Sequence, residues 1–66
     1  MITEIKNALY HADILYDYVE EYDADTIRAG GWKSLHFDQI QNITQYIYFK
    51  GITVVNGELV IEFMKH

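Results

Sequence analysis

The feature of this 66-residue chain that most constrains its fold is the pair Asn56-Gly57, which lies between two runs rich in β-branched residues. Asn-Gly favours a two-residue turn with positive φ at both positions, a tight connection between antiparallel strands. A turn there places Val54 opposite Leu59. Because pairing continues residue by residue away from the turn, Ile52 then lies opposite Ile61, on the same face. The sequence therefore predicts a C-terminal β-hairpin with one apolar face.

The hairpin needs a cover on this apolar face, since two strands alone are marginally stable in water. Over Thr3 to Tyr22, apolar residues recur at the spacing of one helical face. This pattern predicts a first helix, with Thr3 as its N-cap and the turn-forming segment Asp23-Ala24-Asp25 at its end. A short turn is expected over residues 26–29, before the backbone breaks at Gly30-Gly31.

The segment from Ser34 to Lys50 is compatible with two structures. Its isoleucines are spaced for one helical face, Asp38 and Gln41 match a capping box, and Gly51 stands where a helix C-terminal glycine belongs. These features favour a second helix. Residues 44–49, however, are rich in β-branched and aromatic side chains, which is typical of a third strand that turns at Lys50-Gly51 into the hairpin.

The predicted fold class is α+β: two helices followed by a C-terminal β-hairpin, in helix-turn-helix-strand-strand order, as a single small domain over residues 1–66. The predicted core combines the inner faces of both helices and the hairpin: Ile5, Leu9, Ala12, Leu15, Tyr16, Val19, Ile40, Ile43, Ile47, Ile52, Val54, Leu59, Ile61 and Phe63. So small a core needs the largest side chain of the chain. Trp32, which follows the double glycine, is therefore expected to close the core as a lid, and the alternative is an exposed binding residue presented by a mobile loop.

Charge and composition exclude several classes of function. Five Lys and Arg against ten Asp and Glu give a formal net charge of -5, which disfavours nucleic acid and anionic membranes as direct partners and favours basic surfaces. No apolar run approaches the roughly 20 residues of a membrane span. The first residues also lack the basic region and apolar run of a secretory signal, so a cytoplasmic protein is expected.

A run of six carboxylates occurs with no basic residue between Lys6 and Arg28: Asp13, Asp17, Glu20, Glu21, Asp23 and Asp25. On the predicted first helix the earlier members form a negative stripe. Carboxylates four residues apart are separated by about 6 Å of helical rise, similar to the pitch of charges along a nucleic-acid strand. The stripe is either a solvated face or a nucleic-acid mimic that binds a basic protein groove.

A second apolar stripe lies on the same predicted helix, opposite its core-facing side. Tyr10, Ile14 and Tyr18 recur four residues apart, with Asp17 and Glu21 beside them. A chain this short has little with which to cover both stripes, so these five residues form the predicted partner-binding site. Two alternatives stay open. In the first, the rest of the chain covers both sides of the helix, or these residues are exposed one by one. In the second, a second copy of the chain pairs with the stripe or with a hairpin edge in a homodimer.

No motif indicates a catalytic, metal or cofactor site. Asp23-Ala24-Asp25 begins like a calcium-binding loop, but Arg28 stands at its glycine position and Ser34 at its final glutamate position. The chain has no glycine-rich phosphate loop, no nucleophile elbow and no thiol. We therefore expect no enzyme activity, no metal and no cofactor.

The function that these patterns favour is that of a small acidic protein-interaction module. Its size and charge suggest an accessory or inhibitory protein of phage or mobile-element type, acting by binding a protein partner. The alternatives are a homodimeric structural protein with no external ligand, and the nucleic-acid mimic described above.

Overall fold

The computed structural model describes residues 1–65, which form two helices and four strands in the order α-β-β-α-β-β. The elements are α1 (Ile2–His11), β1 (Tyr18–Glu21), β2 (Thr26–Trp32), α2 (Phe37–Thr44), β3 (Phe49–Val55) and β4 (Glu58–Met64). All neighbouring strands are antiparallel, in the sheet order β1-β2-β4-β3. The predicted order of two helices followed by one hairpin is therefore wrong, because a further hairpin separates the helices.

The first helix, predicted from Thr3 to Tyr22, ends already at His11. The backbone conformation of Asp13 is the cause. This residue takes a left-handed conformation with φ 61°. The N–H of Ile14 donates to the carbonyl of Leu9 at 2.9 Å, and the N–H of Asp13 donates to the carbonyl of Tyr10 at 3.0 Å. These two bonds are a Schellman motif, and burial of both Leu9 and Ile14 supplies its usual apolar contact. At the other end, Met1 and not Thr3 is the N-cap.

The second hairpin, β1 with β2, occupies the region where a helix end and a glycine break were predicted. Its turn is stabilised by Asp23, whose Oδ1 accepts the backbone N–H of Asp25 at 2.8 Å. Gly30 and Gly31 lie inside β2, at a register irregularity opposite β4, and are not a hinge between elements. β2 is consequently a central strand, paired with β1 on one side and β4 on the other.

The second helix is real but shorter than predicted and begins elsewhere. α2 has His36 as its N-cap, and the backbone N–H of His36 donates to Gln39 Oε1 at 2.9 Å, so the predicted pair Asp38 and Gln41 is not the cap. Strand β3 already starts at Phe49, as the β-rich composition of residues 44–49 indicated in part. Gly51 lies inside β3 beside a register irregularity, and neither ends a helix nor turns between strands.

The C-terminal hairpin is confirmed with its predicted register. Val54 pairs with Leu59 and Ile52 pairs with Ile61. Asn56 has φ 52° and Gly57 has φ 79°, the positive values that a two-residue type I′ turn requires. Local turn chemistry alone was sufficient to define this part of the fold.

The helices cover one face of the sheet, and the core lies between the two layers. Its buried members are Ile5, Leu9, Ala12, Ile14, Ile27, Ala29, Trp32, Ile43, Ile61 and Phe63. The predicted burial of Trp32 is confirmed. Three predicted core residues, Leu15, Ile47 and Val54, are instead exposed. Leu15 is exposed because α1 ends before it, and Ile47 because α2 ends before it. Val54 is exposed because it lies near the tip of the hairpin, on an edge strand.

The opposite face of the sheet carries no helix of the described chain. Val60 is buried yet lies outside the main core cluster, since it alternates with Ile61 along β4 and points the other way. Arg28 and Glu62 pair across β2 and β4 on the same open face and form a 2.9 Å ion pair. Neither helix is long and apolar enough to cross a membrane over the residues described.

Candidate functional site

Leu15 is the most exposed large apolar side chain among the described residues, with 90% of its surface in solvent. It lies in the connection between α1 and β1, immediately after the buried Ile14. Tyr10, near the end of α1, is 79% exposed and lines one depression together with Leu15. Leu35 lines a second depression, which shares Asp13 and Leu15 with the first. We call the exposed and half-buried residues around this point the Leu15 surface: Tyr10, His11, Asp13, Leu15, Leu35 and His36.

The backbone of Leu15 is fixed although its side chain is free. The indole N–H of Trp32 donates to the Leu15 carbonyl in a short hydrogen bond. The preceding side chain, Ile14, is anchored in the core with 2% exposure. Two adjacent residues are thus held, one through its side chain and one through its carbonyl, and the Leu15 side chain is directed into solvent.

A third contact ties the Leu15 surface to the second helix. Gln39 Nε2 donates to the carbonyl of Asp13 at 2.7 Å, so the first turn of α2 is bonded to the left-handed residue that ends α1. Gln39 Oε1 simultaneously accepts the N–H of His36. One glutamine side chain therefore links the start of α2 to the end of α1, and together with the bond from Trp32 on β2 it braces the local backbone from three elements.

The structure separates the five predicted partner-binding residues. Tyr10 and Ile14 lie at the Leu15 surface, but Ile14 is buried and supports it from below. Tyr18 lies on β1, paired with Gly30 on the open face of the sheet. The predicted stripe of Tyr10, Ile14 and Tyr18 on one helix is therefore wrong, because the helix ends at His11. Because Asp13 has a positive φ, the chain leaves the helix there, and the side chains after it no longer follow the helical spacing on which the stripe was based.

The two acidic members of the predicted site have different surroundings. Asp17 is exposed just before β1; its N–H donates to the carbonyl of Gly30 at 3.0 Å and its side chain lies against Gly31. Glu21, at the end of β1, forms an ion pair with Lys65 at 3.2 Å. Among the acidic residues that the structure describes, Asp13 is the one that lines both depressions of the Leu15 surface. The helical charge spacing on which the nucleic-acid mimic was based does not occur.

The open face of the sheet presents a second set of aromatic residues: Tyr18, which belongs to the predicted site, and Tyr22, which sequence reasoning missed. Tyr18 lies over Gly30, where a Cβ would meet its ring. Tyr22 covers the guanidinium of Arg28 at 3.5 Å from the ring centroid, a cation–π contact. The hydrogen bond to Glu62 raises the pKa of Arg28 further above its ordinary value. These polar groups are already partnered within the chain, while the two tyrosines stay partly accessible, with Tyr18 37% and Tyr22 57% exposed.

A groove of about 660 Å³ lies between α1 and the C-terminal part of α2. Its walls carry amides, Glu4, His11 and Tyr46, above a floor that includes Ala8 and Ala12. Burial, with the Glu4 carboxylate nearby, raises the pKa of the Tyr46 phenol above its ordinary value. Over residues 1–65, no three His, Cys, Asp or Glu side chains are arranged to hold a metal ion.

Comparison with known proteins adds no relative to this description: no protein-family model matches the sequence, and no curated protein or solved structure gives a significant match.

Proposed function

We propose that this protein is a small protein-interaction module that binds a partner protein through the Leu15 surface. The observation that carries the proposal is the combination of an almost fully exposed Leu15 side chain with a backbone carbonyl held by Trp32. A leucine on a mobile loop would lose conformational freedom on binding. A leucine on a braced turn has already lost most of that freedom, so more of its burial energy contributes to affinity.

The chemistry of the partner follows from the composition of this surface. Full burial of a leucine contributes about 1.5–3 kcal/mol. Tyr10, exposed beside Leu15, suits the same contact because its ring is apolar and its hydroxyl tolerates a wet rim. Asp13 adds a carboxylate at the centre, and the chain carries a net charge of -5. The partner is therefore a protein with an apolar pocket and a basic rim, which the acidic module approaches by electrostatic attraction.

Substitution at Leu15 tests this function against a matched exposed residue. Leu15→Asp places a charge at the proposed contact residue. Ile47→Asp makes the same kind of change at another exposed side chain, which follows the C-terminal end of α2 and does not belong to the Leu15 surface. Tagged wild-type and variant proteins are used to capture partners from the cell that expresses the chain. The proposal expects one protein to be captured by the wild type and Ile47→Asp and lost with Leu15→Asp. Equal capture by both variants contradicts it.

The charge of the partner is tested separately. Asp13→Lys reverses the central charge of the Leu15 surface, and Asp25→Lys makes the same reversal in the turn between β1 and β2. We expect the first variant to slow association with the captured partner and the second to change it much less, with the difference shrinking as salt is added. The assignment to a phage or mobile-element accessory protein rests on size and charge alone and stays a prediction.

A further inference from the structure

We infer that a second copy of this chain pairs antiparallel with the free edge of β3, giving one continuous eight-stranded sheet across a two-fold axis. The free edge of β3 is distinct from the Leu15 surface. The inference begins from the two edges of the sheet, β1 and β3, beyond which no strand lies within residues 1–65. An exposed edge offers unpaired N–H and C=O groups that another strand can complete.

The two edges differ in how well they resist such pairing. β1 has four residues, of which Glu20 and Glu21 are charged, and Asp17 directly precedes it. Short length and charge are the usual protection of an edge strand. β3 has seven residues, and Ile52-Thr53-Val54-Val55 carries no charge, with Val54 63% exposed. β3 is therefore the edge at which pairing is favourable.

The turn geometry defines which backbone groups of β3 point outward. In a two-residue hairpin the residues that flank the turn are hydrogen-bonded to each other, here Val55 with Glu58. Bonding then alternates along the strand, so Thr53 bonds to β4 while Ile52 and Val54 direct their N–H and C=O groups away from it. These outward groups lie two residues apart, the spacing that an antiparallel partner needs.

A two-fold axis at Thr53 satisfies this pattern. It places Ile52 opposite Val54 of the second copy, and Val54 opposite its Ile52, as two hydrogen-bonded pairs. Both pairs are β-branched on the helix-covered side of the sheet, so the exposed Val54 gains an apolar neighbour. The axis lies at the midpoint of the regular part of β3, since pairing is irregular between Phe49 and Gly51. No like charges face each other across residues 51–55.

The distribution of charge favours the β3 edge over the β1 edge as the contact between two copies. The carboxylates of residues 13–25 lie on or near β1, which is separated from β3 by two intervening strands. Pairing at β3 places the two acidic edges at opposite ends of the extended sheet. A single strand pair buries less area than the roughly 1,200 Å² of a stable interface, so the dimer is expected to dissociate on dilution.

Sedimentation analysis over a concentration series, with amide hydrogen exchange at each end of it, tests the inference. From about 10 µM to about 1 mM we expect a shift from monomer to dimer. The amides of Ile52 and Val54 are expected to gain at least about tenfold protection over that range, while the outward groups of β1 gain none. A wild-type chain that stays monomeric throughout overturns the inference, and so does a dimer in which these two amides exchange at an unchanged rate.

Two variants separate this contact from the Leu15 surface. Val54→Lys adds a charge that protects the edge, and because Val54 is exposed, the monomer is expected to fold normally. It should weaken dimerisation by about tenfold or more. Leu15→Lys makes the same change at another exposed residue and should leave dimerisation unaltered. Retention of dimerisation with Val54→Lys overturns pairing at β3, and its loss with Leu15→Lys would place the contact between two copies at the Leu15 surface instead.

Discussion

Trp32 donates its indole N–H to the backbone carbonyl of Leu15, seventeen residues earlier in the chain. This bond joins the central strand β2 to the connection between α1 and β1. The largest side chain of the core therefore does more than fill space, since it also holds the backbone from which the exposed Leu15 side chain projects. Stability and presentation of the proposed contact residue depend on the same tryptophan.

Trp32→Phe tests this dual role. The substitution keeps an aromatic ring but removes the N–H donor and part of the buried volume, so we expect a loss of about 1–3 kcal/mol in the free energy of unfolding. Leu15→Ala is the matched control, because it keeps the carbonyl and removes only exposed atoms; its effect should stay within about 0.5 kcal/mol. Denaturant unfolding measures both. Backbone relaxation should show increased mobility at Leu15 in Trp32→Phe alone, and an unchanged Leu15 contradicts the anchoring role.

Asp13→Gly is expected to stabilise the fold. Asp13 occupies the left-handed position of the Schellman motif with φ 61°, a conformation that costs less for glycine than for any residue with a Cβ. The gain should be up to about 1 kcal/mol in thermal or denaturant unfolding. Asp13→Ile, which is β-branched, should lose more than about 1 kcal/mol. If both variants unfold like the wild type, the motif does not determine where α1 ends.

Gly30→Ala is expected to displace the Tyr18 ring from the sheet. A Cβ at Gly30 would meet this ring, and because the ring is the far end of a flexible side chain, it can move aside. The cost should be about 1 kcal/mol and should largely disappear in a Tyr18→Ala background. A double-mutant cycle of unfolding free energies provides the test. Additive effects of the two substitutions would show that the ring does not lie over Gly30.

Asp23 gives the fold a pH dependence with a defined sign. Its carboxylate accepts the backbone N–H of Asp25, and this bond lowers the pKa of Asp23 below its ordinary value of about 3.9. The charged form is thus favoured by folding, so its contribution to stability is present above about pH 4 and is lost as the pH falls through the lowered pKa. Melting temperatures of wild type and Asp23→Ala should differ near neutral pH and converge in acid. A difference that is constant with pH contradicts this assignment.

The elements that sequence reasoning predicted correctly are those whose signal is local. Asn56-Gly57 determined a turn type, and the turn type determined the register of β3 and β4. The burial of Trp32 followed from the need of a small core for its largest side chain. The first prediction needed only the two turn residues, and the second needed only the length of the chain and the size of its largest side chain.

The errors arose where one residue changed the phase of a pattern. Asp tolerates the left-handed conformation better than most residues, yet the apolar spacing around Asp13 did not mark it as a helix end; in that conformation it ends α1, buries Ile14 and exposes Leu15. Apolar spacing continued past it by coincidence, because β1 also contributes apolar residues. The Gly30-Gly31 pair resembled a break, but small residues in β2 are what allow Tyr18 to lie against the strand. These effects depend on tertiary contacts that no local pattern carries.

We propose that this protein contacts another protein through the Leu15 side chain. Site-specific photocrosslinking in the native cell probes this contact, with a photoreactive amino acid placed at position 15 in one sample and at position 47 in another. We predict a crosslinked adduct with a distinct partner protein at position 15 and none of that adduct at position 47. Absence of any adduct at position 15, or the same adducts at both positions, contradicts the account.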